Sequence, residues 1–486
     1  MLFNSYDFLF FFLPLCLAGH HLLRQWVGPR AAWVWVTLAS LVFYAWWYVP
    51  YLGLLLASMA FNFGVGKVVA DEGRAAGVRR GWLTAGVTAN LVVLGWFKYA
   101  GFLDQTVEAL TGLDLGLPQV ALPLAISFFT FQQIAYLVDA RRGRTRDHDL
   151  LDYVVFVAFF PQLIAGPIVH HGEILPQVRA ARPVDWSDRS VGFTLFVLGL
   201  AKKVWIADTL APVADAVFGQ VHAGEPVSVL AAWAGILAFF FQVYFDFSGY
   251  SDMATGLARL FGIRLPVNFD APYRSESIVD FWERWHITLS RFLRDYLYIP
   301  LGGNRQGQVR RYANLMVTML LGGLWHGASW TFVAWGGING VFLLVNHAWR
   351  AARGGPVTSP AGRLACRAVT LAALVGSYVY FRAETFADAT TVHLAMVGHT
   401  SAGLGHLPTW LVWTLLGVFA LTQLAPTSQR WLERFEPVLA QANDAVRWRP
   451  RLTWKPTVAW AVVLGVLLFL CVPALERADA FVYWAF

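Results

Sequence analysis

Residues 310–350 read RRYANLMVTMLLGGLWHGASWTFVAWGGINGVFLLVNHAWR, two apolar runs placed back to back with arginines at both outer ends. Each run, taken as 312–329 and 332–349, approaches the ~20 residues that carry an α-helix across a bilayer. Arginine in short loops concentrates on the cytoplasmic side, so the pair reads as a hairpin that enters and leaves by one face. His326 stands near the turn, flanked by Gly322, Gly323 and Gly327. Fifteen residues separate it from Arg311, which places it roughly 22 Å along the helix. An ionisable residue at that depth is a functional candidate by default, and the glycines would admit a ligand or a second backbone. The ordinary alternative is a histidine hydrogen-bonded to a neighbouring helix.

The rest of the chain has the same texture. Of 486 residues, 57% are hydrophobic and 14% charged, against about 25% charged in an average soluble protein. Mean hydropathy is +0.51. Further spans are expected near 6–24, 31–49, 51–68, 82–97, 121–138, 190–208, 227–248, 368–382, 409–425 and 457–474. They predict an all-α polytopic membrane protein of 11–12 crossing helices, with residues 1–486 forming a single domain.

The loops orient it. Arg24 and Arg30; Lys67, Arg74, Arg79 and Arg80; Arg141, Arg142, Arg144 and Arg146; Arg259, Arg264 and Arg274; Arg350, Arg353, Arg363 and Arg367; and the stretch from Arg430 to Lys455 all fall on one side if the N-terminus is outside. The intervening loops 98–120, 209–226 and 383–408 are poor in Lys and Arg. An inner-membrane protein with a periplasmic N-terminus satisfies this pattern. Topology thus accounts for the net charge of +7, with lipid and not nucleic acid as the surrounding partner. Cys16, Cys366 and Cys471 lack metal or disulfide spacing. The first nineteen residues lack a basic leader and carry Asp7, so they read as a retained span.

Two apolar stretches do not fit simple crossing. Residues 151–170, LDYVVFVAFFPQLIAGPIVH, have arginines beyond both ends and Pro161, Gly166 and Pro167 inside. A re-entrant hairpin lining a cavity fits better, since irregular backbone at membrane depth needs shelter. In 276–298, SESIVDFWERWHITLSRFLRDYL, helical spacing aligns Phe281, Trp285, Leu289, Phe292 and Tyr296. Asp280–Arg284 and Arg291–Asp295 stand opposite at i,i+4. This predicts one interfacial amphipathic helix.

His286 lies at the edge of that apolar arc, where a histidine with no special role is common. With Glu283 it forms a single ExxH, but a di-iron bundle needs two such motifs plus further carboxylates, so no metal is expected. His170, His171, His393, His399 and His406 read as solvated loop residues. Asp246 and Asp252, near the cytoplasmic end of an apolar span, should each pair with an arginine or face water. Asn268 sits in a polar turn. Arg284, Arg291 and the neighbouring arginines could bind phosphates or merely mark topology.

In order, NSYDFLFFFLP, FFPQLIAGPIV, DFSGYSDMATGLARLFGI, FWERWHITLSRFLRDYLYIPLGGNR, LLGGLWHGASW and FRAETFADA resemble the membrane-bound O-acyltransferase family, and within it the bacterial alginate O-acetylase group. The likeness extends from residue 2 to about 390, with FVYWAF as a further match at the C-terminus. It implies a bowl of helices with donor and acceptor reaching His326 from opposite faces, and no metal. The presumed catalytic histidine of the family's WHG motif maps to His326, the helix pair 312–349 carrying it. The histidine of the RWH motif maps to His286, and the polar DFSGYSD and NF positions map to Asp246, Asp252 and Asn268. His286 is taken with His326 as catalytic, and Asp246, Asp252 and Asn268, with Trp325, Arg284 and Arg291, as substrate-binding residues.

The implied reaction moves an acetyl group from cytoplasmic acetyl-CoA towards an exported, alginate-like polysaccharide. A thioester is already activated, so what is needed is a base for the acceptor hydroxyl and a donor for the developing oxyanion. A neutral, buried His326 would be the base, and His286, Asn268 or a glycine N–H near 322–323 the donor. No permanently bound cofactor is expected. No outside loop is large enough to hold a polymer, so a periplasmic partner should complete the transfer, and the resemblance implies that this partner is an SGNH-hydrolase-like acetyltransferase. Within the family, peptidoglycan or cellulose could replace alginate, and a carrier-protein donor is a further variant. A secondary transporter would explain twelve spans, but such folds usually carry related halves, and no repeat is visible here.

Overall fold

Apolar runs in a bilayer must satisfy their own backbone, which helices do internally, and every regular element among the described residues is helical. The computed structural model describes residues 1–118, 120–145, 149–355, 357–439 and 454–477. Arg146, part of the basic 430–455 stretch and the terminal FVYWAF lie outside the described residues.

Among the described residues, seven helices are long and apolar enough to cross a membrane: Asp7–Trp26, Val49–Ala70, Ala76–Thr111, Trp186–His222, Val229–Leu260, Pro360–Arg382 and Val458–Leu475. The other expected spans are also helical, at Pro29–Ala45, Ile126–Arg141, Gly307–His326, Trp330–Arg353 and Thr409–Leu424. Two outside loops prove largely helical. The fourth span runs on without a break to Thr111, and that beginning at Trp186 runs to His222. In both, a short π-helical turn (Gly95–Tyr99 and Lys202–Ala207) that contains lysine is set within the helix.

Val229–Leu260 is the central post, buried on nearly every side from Ala232 to Arg259. It meets the Trp186–Ala201 helix at two glycine pairs. A Cβ on Gly249 would stand 2.7 Å from the Gly199 carbonyl, and one on Gly256 2.5 Å from that of Gly192. Small residues of this kind let membrane helices approach backbone to backbone.

The 151–170 stretch folds back, so that the helix following it packs near its start. Asp149 receives Arg30 at 2.7 Å beside the start of Pro29–Ala45, and the Phe160 N–H reaches Ser40 further along that helix at 3.1 Å. The chain then comes back, so that Arg179 on the following helix His171–Ala180 bonds Asp152 at 2.7 Å. Residues 155–169 are buried throughout, the shelter that such backbone requires.

The expected single helix over 276–298 is broken. It divides into Ile278–Arg284 and Ile287–Leu293, followed by a π-helical turn at Arg294–Tyr298. The loop after the central post takes over the backbone groups at the break. The Asp270 N–H donates to the Arg284 carbonyl, and the Ile287 N–H donates to that of Asn268, both at 3.0 Å. His286 occupies the kink in the left-handed region, at φ 42°, a conformation that surrounding structure must enforce. The apolar stripe nevertheless packs inward, with Phe281, Trp285, Leu289 and Phe292 all buried.

Candidate active site

Gly307–His326 ends at His326, Gly327 turns extended, and Ser329 caps the next helix by accepting the Thr331 N–H. The two helices touch through glycine: a Cβ on Gly323 would fall 3.0 Å from Gly336 Cα, and one on Gly327 would strike the Phe332 ring. The glycines flanking His326 thus admit a second helix and a ring. His326 is 3% exposed, its imidazole edge-on to Trp325, Trp335 and Phe381 at 5.0, 5.2 and 5.4 Å between centroids.

A helix leaves its last carbonyls without intrahelical donors. Here the Ala76–Thr111 segment supplies them. Tyr99 Oη donates to the Leu324 carbonyl at 3.0 Å, and Lys98 Nζ donates to those of Trp325 at 2.5 Å and His326 at 3.4 Å. Lys98 and His326 line one chamber of about 90 Å3, with Trp325, Trp47, Ile164, Ala165 and the 122–128 stretch around them. Sequence reasoning missed Lys98 because the span was ended at residue 97. The available signal was a lone lysine in the apolar run LVVLGWFKYAGFL, residues 91–103.

His286 is fully buried. Its ring shares Trp325 with His326, at 6.1 Å from the indole, and it is not among the residues lining the chamber. Nδ1 lies 3.1 Å from Asn268 Oδ1, which also accepts from the Thr288 hydroxyl at 2.9 Å and from its backbone N–H at 3.4 Å. A backbone N–H can only donate, so the amide oxygen faces this cluster and Nδ1 carries the proton. In the neutral ring Nε2 then holds the lone pair, and it has no hydrogen-bond partner among the described residues. The Thr288 hydroxyl also accepts from the Ile168 N–H at 2.9 Å. One chain of hydrogen bonds thereby joins the buried Pro-Gly stretch to His286.

Asp246 and Asp252 pair with lysines instead of the expected arginines or water. Lys203 lies 2.8 Å from Asp246 and 2.6 Å from Asp208. Asp252 receives Lys202 and the Ser428 hydroxyl, each at 2.6 Å, and also the Gln429 amide. The π-helical turn carries the two adjacent lysines onto the central post, a register that apolar periodicity does not reveal. These aspartates tie three helical segments together away from the chamber lining.

The proposed phosphate-binding arginines are also engaged. Arg291 makes a two-pronged bond to Glu173, at 2.6 and 3.0 Å, and not the expected i,i+4 pair with Asp295, which Arg294 takes at 2.7 Å. Arg284 does bind Asp280, at 2.6 Å. Glu283 of the ExxH points to solvent while His286 is buried, so the two do not form a ligand pair. His171 is not solvated: it is 4% exposed, 3.7 Å from Asp139, which also accepts the Tyr296 hydroxyl at 3.0 Å.

The membrane-bound O-acyltransferase family model matches residues 78–379, more than half of the chain. A peptidoglycan O-acetyltransferase of Helicobacter pylori is 41% identical over 436 residues, covering 84% of this chain and 82% of the relative. A probable alginate O-acetylase of Azotobacter vinelandii is 43% identical over 401 residues, covering 82% and 78%. Another from Pseudomonas aeruginosa is 42% identical over 402 residues, covering 82% and 75%.

Proposed function

The chain belongs to the membrane-bound O-acyltransferase family and is an acyltransferase, and from that premise we propose that it O-acetylates an exported, alginate-like polysaccharide with His326 as general base. The observation that carries this reading is the position of His326: at the end of a helix, on the wall of a small chamber shared with a lysine. The other end of that helix bears Arg310 and Arg311, the cytoplasmic markers of the hairpin. Acetyl-CoA therefore enters from the cytoplasm, and the acceptor hydroxyl meets the acetyl group at His326 from the periplasmic side of the inner membrane.

The relatives that match most of the chain support acetyl as the acyl group and a cell-surface polymer as acceptor. The Helicobacter relative favours a second reading, peptidoglycan in place of alginate, by the same chemistry. Drawing a polymer into the bilayer would strip water from many hydroxyls, at roughly 1–3 kcal/mol for each left unpaired on the protein-mutation scale. A relay avoids that cost: His326 activates a single hydroxyl on a periplasmic SGNH-hydrolase-like partner, which then acetylates the polymer in water.

Two experiments test this. His326→Ala should reach wild-type levels in membranes and lose transfer, since a positioned base contributes about 10²–10⁴-fold; normal acetylation would remove His326 from the mechanism. Liposomes with purified protein and internal acetyl-CoA should acetylate external polymer only when the partner is added. Efficient transfer without it would overturn the relay.

A further inference from the structure

The chamber at His326 is furnished for negative charge. Lys98 is its basic side chain, and among the described residues no carboxylate pairs with it: its partners are the Trp325 and His326 carbonyls and the Trp325 ring, 5.9 Å from Nζ. No Asp or Glu is among the lining residues. The Ile126–Arg141 helix begins on the same wall, so its N-terminal end adds partial positive charge. The buried Trp325 Nε1–H has no hydrogen-bond partner among the described residues. An ammonium has three N–H donors, and two carbonyls leave one for a ligand. An ionisable side chain held at membrane depth without a carboxylate partner is a functional candidate by default.

The donors expected from sequence are otherwise occupied. The His286 Nδ1–H faces Asn268, the Asn268 amide nitrogen faces Ser251 at 3.2 Å, and Gly322 and Gly323 lie inside a helix whose ladder uses their N–H groups. We propose that Lys98 is a catalytic residue, the electrostatic partner of the oxyanion formed beside His326. The inference rests on the acyltransfer reading above. The acceptor oxygen attacks the thioester carbonyl carbon, a C–O bond forms, and the hydroxyl proton passes to the His326 ring. The carbonyl π pair moves onto its oxygen, which the third Lys98 N–H receives. Collapse restores C=O and breaks the C–S bond, and the departing thiolate takes the proton back from His326.

The test uses inverted inner-membrane vesicles of the native host, with its acceptors retained, following thiol release from added acetyl-CoA. Lys98→Gln keeps an amide that can cap the two carbonyls but removes the charge. Lys98→Met removes both. Each should lower kcat by about 10²–10³-fold, the usual loss of an oxyanion donor, while KM for acetyl-CoA stays within about threefold. In a background with Cys16, Cys366 and Cys471 replaced, Lys98→Cys treated with bromoethylamine rebuilds a lysine-like side chain and should regain most of the lost kcat. That recovery also separates lost chemistry from lost folding. If wild-type vesicles release thiol and Lys98→Gln matches their kcat, the assignment to Lys98 is wrong and the acyltransfer reading stands. If Lys98→Cys shows no gain on alkylation, the assignment is likewise overturned. Absence of acetyl-CoA turnover in wild-type vesicles would remove acetyl-CoA as the donor, and this inference with it.

Discussion

Asn268 holds His286 in one tautomer: its side-chain oxygen accepts from Nδ1 at 3.1 Å, and its orientation is pinned by Thr288 at 2.9 Å. His286 is thereby left with a hydrogen-free Nε2, and its ring and that of His326 both neighbour the Trp325 indole. Asn268→Ala should lower kcat about tenfold to a hundredfold, the rate equivalent of the ~1–3 kcal/mol lost when a buried hydrogen-bonding group loses its partner. Thr288→Val, which leaves the amide oxygen in place, should cost less. Purified Asn268→Ala with normal thermal stability and unchanged kcat would remove this pair from catalysis.

The Lys202–Asp252 bond is a brace, and its loss should appear in stability before activity. Breaking one side of a buried pair costs about 3–5 kcal/mol. Asp252→Ala should therefore lower the melting temperature in detergent steeply, whereas replacing both partners with apolar residues should recover part of it. A stable Asp252→Ala protein with a raised acetyl-CoA KM would instead make Asp252 a substrate ligand.

Arg291 is committed to Glu173 through two bonds. Arg291→Lys cannot reproduce that fork, and Arg291→Ala leaves a carboxylate alone. Both should destabilise the protein, by about 1–3 kcal/mol for the loss of a charged hydrogen-bond partner, without changing donor KM. A selective rise in acetyl-CoA KM at unchanged stability would return Arg291 to the donor site.

Topology has its own check. Alkaline phosphatase, active only outside the cytoplasm, should work when fused after residues 110 and 400 and fail after 145 and 355, as the distribution of basic loops requires. Activity of the 145 fusion would reverse the side assigned to Arg141, Arg142 and Arg144, and with it the membrane face from which the 151–170 stretch enters.

By itself the sequence determined an all-helical membrane protein, the hairpin at 310–350 and the identity of both motif histidines. Hydropathy and loop charge are local properties, and each helix closes its own backbone hydrogen bonds, so these features need no knowledge of distant contacts. Tertiary structure decided what the charges and kinks do. Lys98 reaches the end of a helix 227 positions away in sequence, Arg291 finds a glutamate 118 positions away, and Lys202 finds Asp252 only because a π-helical turn shifts its register. The break at His286 arises the same way, since Asn268 and Asp270 take over backbone groups that an isolated helix would have used itself. In a low-dielectric interior, the cost of a charge or an open carbonyl depends on which group faces it, and that is fixed only when the helices pack.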